Sequence, residues 1–563
     1  MREELIKYWE QMAIQFHWFR PWVSIFKEGK PGGLWFKGGE TNITYNALDV
    51  HVNSPKRNKV ALIWESEDGR RIRFTYFDLW REVMRFSNVL KNFGVKKRDP
   101  IVIYMPNLPE AIVALLAVAR IGAVHVPVDI RYGPFVLRKI IHETGSKVLI
   151  TANGYYRKGN AIWLKPRIEA ALSACDIDFV IMVKRLKEEE VRESFFWYHE
   201  LMEGQKTESD PAEVEANEPL GILYTPNHKG RMVGITYPHG GYMVGVAKSM
   251  KEVFGLRETD VVWWASELGN IIGQSYMVYG PLLNGSTTVL YEGHLLYPGP
   301  ERTWSIIHKY GVTLFGAYPS RLRVLMPYGE KPVRWLDIST LRHLYLSGEA
   351  LDEPLTHWLQ ETVTKRANIV NLWITAETGV FSLMAKGNRL GNSYTPLPFL
   401  QKVFPVFNPV VVTVEGNTLP PDQKGILGFS EPLPSMFANV WNDERAFLEY
   451  WAPNGIFLSK DFAIKDKKGL IKLSGHRSSR VINIGGLIVP AELIELAMKR
   501  HSAVIEATAR AMPDSIKGQV AEVEIRVKEG IERTHDLRSE LLQFAKTELG
   551  PGVIIRQITF ERH

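Results

Sequence analysis

Cysteine is almost absent from this chain of 563 residues, which contains Cys175 alone. A single thiol excludes an intramolecular disulfide and a cysteine-rich metal site, and such usage is typical of a reducing compartment. Long apolar runs are also lacking: the longest helix-like run, residues 111–119, ends at Arg120, far short of the ~20 residues that a membrane span requires. The charged N-terminus shows no secretory apolar region. We therefore expect a cytoplasmic protein that uses no membrane.

Several sequence signals of ligand-binding proteins are missing as well. The formal net charge of +7 is too dilute over this length for a nucleic-acid-binding surface. Neither a Walker A motif nor a dinucleotide fingerprint is convincingly present, and the 15 histidines show no paired zinc-binding spacing. These absences exclude nucleic-acid partners, the two commonest nucleotide motifs and a zinc enzyme, whereas small anionic ligands remain compatible with the charge.

Short apolar segments alternate with amphipathic ones from residue 60 onward. The pattern predicts strands at 60–64, 101–105, 123–128 and 147–151, and helices at 76–93, 110–121 and 135–144. The same alternation returns over residues 220–370. It indicates an α/β fold whose large N-terminal domain consists of doubly wound, largely parallel sheets.

Three further segments complete the predicted organisation. The aromatic-rich residues 1–58 are expected to wrap around the large domain, which spans 59–477. Within that domain, residues 402–428 have the short β-rich runs of a β subdomain. A change of pattern near Ser478 and Ser479 predicts a small, mobile α+β C-terminal domain at 480–563.

The most informative segment is residues 223–234, which read L-Y-T-P-N-H-K-G-R-M-V-G. They follow an apolar run and lead toward Gly240-Gly241, as in a strand, a loop and a helix start. The segment resembles the phosphate loop Y-T-S-G-[ST]-T-G-x-P-K-G of adenylate-forming enzymes. Four residues match: Tyr224, Thr225, Gly230 and Gly234. P-N-H-K at 226–229 replaces the hydroxyl-rich part, and Val233 stands in place of the lysine.

Other segments extend this resemblance over nearly the whole chain. In family order they are F-H-W-F at 16–19, Y-M-P at 104–106, Y-G-P-L-L-N-G at 279–285, S-G-E at 347–349 and A-E-T-G at 376–379. Together they resemble the AMP-forming acyl-CoA synthetases, within the acetyl-CoA synthetase branch. The resemblance implies that ATP, a carboxylate and CoA give acyl-CoA, AMP and diphosphate with Mg²⁺ as cofactor, so a nucleotide and an acyl-CoA or carboxylate are the expected partners.

The same resemblance implies a set of nucleotide-site residues. Thr225 and Gly230 belong to the loop, and Asp461 matches the aspartate of T-G-D that holds the ribose hydroxyls. Beside the adenine and the acyl group it implies Gly348, Glu349, Ala350 and Trp373. Glu377 corresponds to the Mg²⁺ carboxylate and Arg477 to the family's arginine, and both would be catalytic.

Acyl and CoA contacts follow from further matches. Ile374 stands where acetate-specific members have tryptophan, and Ile271 and Ile272 stand at matching wall positions. They indicate an acid larger or more apolar than acetate, or else hydrophobic infilling of a disused pocket. For CoA, the resemblance implies Arg157 and Gly486, the latter permitting close backbone approach.

Two departures leave the activity open. The loop lysine is replaced by Val233, and the sequence stops at His563 before the segment that carries the family's catalytic lysine, so we expect that lysine to be missing. Each such cation contributes ~2–3 kcal/mol, so their loss would slow adenylation by several orders of magnitude. One hypothesis is an acyl-CoA synthetase, an AMP-forming acid-thiol ligase, with impaired adenylation. The other is a non-catalytic homologue that binds nucleotide or acyl-CoA, alone, as a homo-oligomer or with an active paralogue.

Overall fold

The computed structural model describes residues 2–29, 31–187, 194–364, 366–386 and 399–561. It confirms the predicted α/β class: two large sheets form the N-terminal part, and a smaller α+β unit follows. The boundaries proposed for the three units stay a prediction. No helix within these ranges is long and apolar enough to cross a membrane.

The first large sheet has eight strands in the described residues. Their spatial order is Phe195–Trp197, Phe179–Val183, Val148–Ala152, Pro100–Tyr104, Val124–Pro127, Pro219–Pro226, Met232–Pro238 and Asn439–Val440. Neighbours run parallel as far as Pro219–Pro226, and the last two strands are antiparallel additions. The almost uninterrupted apolar runs of the parallel strands are typical of a sheet covered on both faces.

The second large sheet has thirteen strands in the described residues. Their spatial order is Pro409–Val412, Lys424–Phe429, Phe457–Lys465, Ile471–His476, Phe399–Lys402, Leu383–Lys386, Asn368–Trp373, His343–Ser347, Leu314–Ala317, Val261–Ala265, Thr287–Glu292, Val60–Ser66 and Arg71–Thr75. The six strands from Asn368–Trp373 to Val60–Ser66 are parallel. The β-rich region predicted around 402–428 is therefore an antiparallel continuation of this sheet.

Helices cover the sheets and connect their strands. In the described residues they are Arg2–Ala13, Val50–Val52, Tyr76–Asn92, Pro109–Arg120, Pro134–Thr144, Lys165–Leu172, Tyr198–Met202, His239–Phe254, Gly280–Leu283, Arg302–Tyr310, Pro319–Arg323, Glu353–Trp358, Glu444–Leu448, Ala491–Met498 and His535–Leu549. Wider π-helical turns occur at Tyr45–Asp49, Gly273–Tyr279 and Leu359–Val363, and 3₁₀ turns at Pro55–Asn58, Met326–Tyr328 and Ala376–Thr378. The predicted helix at 76–93 begins with a capping box, in which Thr75 and Asp78 satisfy each other's backbone N–H groups.

The remaining strands form small sheets and the C-terminal unit. Two-stranded sheets pair Ser24–Lys27 with Leu34–Lys37, Glu40–Thr41 with Val214–Glu215, and Gly154–Arg157 with Asn160–Trp163. The C-terminal sheet contains Val481–Ile484, Leu487–Pro490, Val504–Asp514, Gly518–Val527 and Ile555–Phe560. Its strands and two helices give the α+β unit predicted after residue 480.

The C-terminal unit is docked by backbone hydrogen bonds onto the segment that follows Val124–Pro127. Gly133 N donates to Leu549 O over 2.8 Å, and Gly552 N donates to Arg131 O over 3.0 Å. A Cβ at residue 133 would lie 2.4 Å from the carbonyl oxygen of Glu548, so this approach requires glycine. A further hydrogen bond, from Asn483 to Gly348 O, ties the unit to the segment after His343–Ser347 in the second sheet. The unit thus lies at the carboxyl ends of strands of both sheets, where ligands bind in open α/β sheets.

One local prediction was wrong. The phosphate-loop segment was expected to join a strand to a helix, but a second strand, Met232–Pro238, intervenes before the helix His239–Phe254. The segment is therefore the turn of an antiparallel hairpin. Residues 232–238 are all buried, and their hydrogen bonding to Pro219–Pro226 determines their conformation.

Candidate active site

A cleft of about 1160 Å³ lies between the two large sheets and the C-terminal unit. It brings together most of the residues that the sequence singled out. Its lining includes Thr225, Ile271, Ile272, Gly348, Glu349, Ala350, Trp373, Ile374, Asp461 and Gly486. Glu377, Arg477 and Gly230 are outside its lining, and Arg157 lines a separate, smaller pocket with Glu267 and Arg321.

Asp461 is held at the cleft by the indole of Trp373. The indole Nε1 donates to Asp461 Oδ2 over 2.7 Å. Burial raises the pKa of the carboxyl group, while the Trp373 hydrogen bond and the charge of Lys460 oppose that rise. The two predicted nucleotide contacts are therefore coupled, and the indole fixes the direction of the carboxylate.

Gly348 to Ala350 follow directly after the parallel strand His343–Ser347. The Glu349 carboxylate accepts hydrogen bonds from the N–H and the hydroxyl of Ser320, and Arg323 lies 3.5 Å away. Burial raises the pKa of Glu349, and these partners oppose that rise. Because the carboxylate is tied to the helix Pro319–Arg323, we expect the backbone of 348–350 to contact a ligand.

The hairpin turn at 227–231 is closed by the side chain of Asn227. Asn227 Oδ1 accepts from Lys229 N at 2.9 Å and from Arg231 N at 3.0 Å. Two backbone hydrogen bonds also close the turn: Asn227 N donates to Arg231 O over 2.8 Å, and Gly230 N donates to Asn227 O over 3.0 Å. The turn thus uses the N–H groups of 227, 229, 230 and 231 itself, and Pro226 has none to offer.

Lysine 460 is the site residue that sequence reasoning missed. Its ammonium donates to Thr225 Oγ1 and to Pro226 O, each over 3.0 Å, and lies 3.1 Å from Glu377 Oε1. Glu377 is fully buried and also accepts from the Thr375 hydroxyl. The available signal was Ser459-Lys460-Asp461 itself, because the lysine stands where T-G-D has glycine.

Arg477 contacts the backbone of the strand Phe457–Lys465, which carries Lys460 and Asp461. Its N–H donates to Lys460 O over 2.7 Å, and its guanidinium donates to Ser459 O over 3.1 Å. Burial lowers the pKa of Arg477. The neighbouring His476 has its pKa lowered to about 4, chiefly by burial. Arg477 therefore helps to fix the backbone that presents Lys460 and Asp461.

Gly486 enters the cleft from the C-terminal unit. It has φ of 80°, and a Cβ there would lie 2.3 Å from the ring of Tyr318. Asn483 Nδ2 donates to Gly348 O over 2.7 Å. The close backbone approach predicted for Gly486 thus occurs against Tyr318, while its role toward CoA stays a prediction.

The cleft thus lies at the carboxyl ends of parallel strands and is covered by the small C-terminal unit. The chain belongs to the AMP-binding enzyme family, whose model matches residues 48–438. The acetyl-coenzyme A synthetase N-terminus family matches residues 2–47.

The most informative similar proteins are acyl-CoA synthetases. Acetyl-coenzyme A synthetase of Pyrobaculum aerophilum is 37% identical, and the match covers 99% of this chain and 86% of the relative. The Chlorobaculum tepidum enzyme of the same name is 35% identical, with 97% and 83% covered. The 3-hydroxypropionyl-coenzyme A synthetase of Sulfurisphaera tokodaii is 35% identical, with 99% and 86% covered. The chain is thus an acyl-CoA synthetase family member.

Proposed function

We propose that this protein is an acyl-CoA synthetase-like protein that binds an adenine nucleotide and an acyl group in the cleft but forms the acyl-adenylate from ATP poorly. The observation that carries the proposal is the turn at 227–231, in which the N–H groups of residues 227, 229, 230 and 231 already donate to Asn227 or to the backbone of the turn. The nucleotide side of the cleft, with Asp461 and Trp373, supports continued binding.

The physical reason lies in the charge that the reaction develops. Attack of a carboxylate on the α-phosphate of ATP brings anions together, so its rate depends on preorganised donors and cations around the phosphates. Lys229 could have compensated for the valine at 233, but its ammonium pairs with Glu449 over 2.6 Å. Arg231 remains as an exposed cation of the turn, but it is not at the position of the family's lysine. With most of its N–H groups already used, the turn leaves the departing diphosphate poorly stabilised.

The apolar wall favours an acid larger than acetate. Ile271 and Ile272 are buried and Ile374 is half-buried, and all three line the cleft. An isoleucine in place of a tryptophan at 374 leaves room for additional carbon atoms. The relative named for 3-hydroxypropionyl-CoA supports variation of the acyl group among similar proteins.

The test separates binding from the two chemical steps. ATP–diphosphate exchange is measured over short- to medium-chain acids, AMP and CoA binding is measured by calorimetry, and a synthetic acyl-adenylate is supplied with CoA to measure acyl transfer. We expect AMP binding, very slow exchange with every acid, and faster acyl transfer from the adenylate than from ATP and acid.

The outcomes distinguish the competing functions. Exchange at ordinary enzymatic rates would contradict impaired adenylation. Binding without exchange or acyl transfer would favour the non-catalytic homologue or the partner of an active paralogue. The variant Asp461→Ala serves as the control, because binding that survives it does not occur at this cleft.

A further inference from the structure

The ammonium of Lys460 has the surroundings of a bound cation. The head group donates hydrogen bonds to the Thr225 hydroxyl and the Pro226 carbonyl, each over 3.0 Å, and forms an ion pair with Glu377 Oε1 at 3.1 Å. Hydroxyl, carbonyl and carboxylate oxygens are also the ligands that hard divalent cations select. The side chain is only 9% exposed, so water does little to screen it.

The buried carboxylate of Glu377 explains why a cation is needed there. Glu377 has no exposed surface, and an unpaired carboxylate in such a position is strongly destabilising. Lys460 neutralises this charge from within the chain, in a strand that is anchored by backbone pairing on both sides. The pairing requires no ion from solution.

Mg²⁺, which the family resemblance assigns to Glu377, does not fit these residues. The carboxylate oxygen Oε1 already faces the Lys460 ammonium, and a divalent cation bound there would lie beside a positive charge in a poorly screened site. Accepting the metal would require Lys460 to leave Thr225 and Pro226. The conflict follows from the lysine that is present.

We propose that Lys460 is the built-in counterion of Glu377 and that, as a result, this cleft binds a nucleoside monophosphate without a divalent cation. The inference rests on the proposed function, since it assumes that adenine nucleotide binds in the cleft. Lys460 lines the cleft and Glu377 lies buried behind it, so an incoming phosphate faces the lysine side of the ion pair. One tethered positive charge suits the single phosphate of AMP or of an acyl-adenylate better than the triphosphate of ATP.

The experiment compares AMP binding by calorimetry in excess EDTA and in excess Mg²⁺, using the full chain. For the unmodified protein we expect dissociation constants that agree within about twofold. In Lys460→Gly, which opens space beside Glu377, we expect Mg²⁺ to tighten AMP binding by about tenfold or more. The variant Lys460→Met with Glu377→Gln keeps the site neutral, so its AMP binding should remain independent of Mg²⁺.

Each result has a separate meaning. If Mg²⁺ tightens AMP binding to the unmodified protein about tenfold, the counterion inference is overturned while the proposed function stands. If AMP binds under neither condition, the proposed function fails and the inference fails with it. If Lys460→Gly does not fold, the unmodified protein and the double variant still test the inference. AMP affinity that depends on Mg²⁺ in either protein would overturn it, and AMP affinity that is independent of Mg²⁺ in both would support it.

Discussion

The proposed ribose side and the proposed phosphate side of the cleft use their polar groups in opposite ways. On the ribose side, Asp461 lines the cleft with its direction fixed by Trp373. On the proposed phosphate side, the N–H groups of Lys229 and Arg231 donate to Asn227. The Lys460 ammonium donates to Thr225 and Pro226 and forms an ion pair with Glu377. The difference supports the proposal that this cleft binds nucleotide but reacts poorly, because the polar groups of the proposed phosphate side are bonded to one another.

The largest expected effect is on the free energy of unfolding, and it distinguishes a buried ion pair from a surface ion pair. Lys460→Met should destabilise the chain by about 3–5 kcal/mol, because the buried Glu377 loses its counterion. The control Lys229→Met removes a half-exposed partner of Glu449 in the same region and should cost no more than about 1 kcal/mol. Urea unfolding followed by tryptophan fluorescence measures both, and equal effects would contradict the internal counterion.

The next effect tests the ribose side. Asp461→Asn should weaken AMP binding by about tenfold to a hundredfold, because an amide replaces a charged acceptor. The exposed Asp536, in the first turn of helix His535–Leu549, provides the control Asp536→Asn, for which we expect unchanged affinity. Calorimetry measures the AMP affinity of both variants. An unaltered affinity in Asp461→Asn would show that the nucleotide does not bind beside Asp461.

A smaller effect is expected at the turn. Asn227→Ala removes the acceptor of two backbone N–H groups and releases them toward the phosphates. The affinity for ATP relative to AMP should then rise by about threefold to tenfold, equivalent to roughly one neutral hydrogen bond. Asn417→Ala, in an exposed turn far along the sequence, is the control. A ratio that stays the same would show that the turn does not limit phosphate binding.

The last effect concerns pH. Burial lowers the pKa of His228 to about 4, below its usual value near 6.5. Between these values the unfolded chain binds the proton more readily, so the free energy of unfolding should decrease as pH falls through this window. His228→Gln should flatten that decrease, whereas the exposed His535→Gln should not. Urea titrations at several pH values measure the slopes, and identical slopes would contradict burial of the neutral ring.

The parts of this molecule that could be predicted depend on nearby residues. The helix at 76–93 follows from its periodicity and from Thr75 and Asp78, and the structure places it at Tyr76–Asn92. The strand Met232–Pro238 was missed because its conformation depends on pairing with Pro219–Pro226. Local patterns therefore recovered the α/β class but not every strand.

The candidate site shows the same dependence. Motif positions indicated Asp461, Trp373 and Ile374, and the structure brings them to one cleft. The Lys460 contacts were not predicted, because Thr225 lies 235 residues away in sequence. Nor could a motif show that Glu349 is tied to Ser320. Such partners are set by the packing of distant strands and helices, which no local pattern contains.

The docking of the C-terminal unit has a kinetic consequence. Backbone hydrogen bonds from Gly133 to Leu549 and from Gly552 to Arg131 hold the unit across the cleft. Movement of the unit away from the cleft would break these bonds, so they oppose domain opening, a motion that limits ligand release in many enzymes.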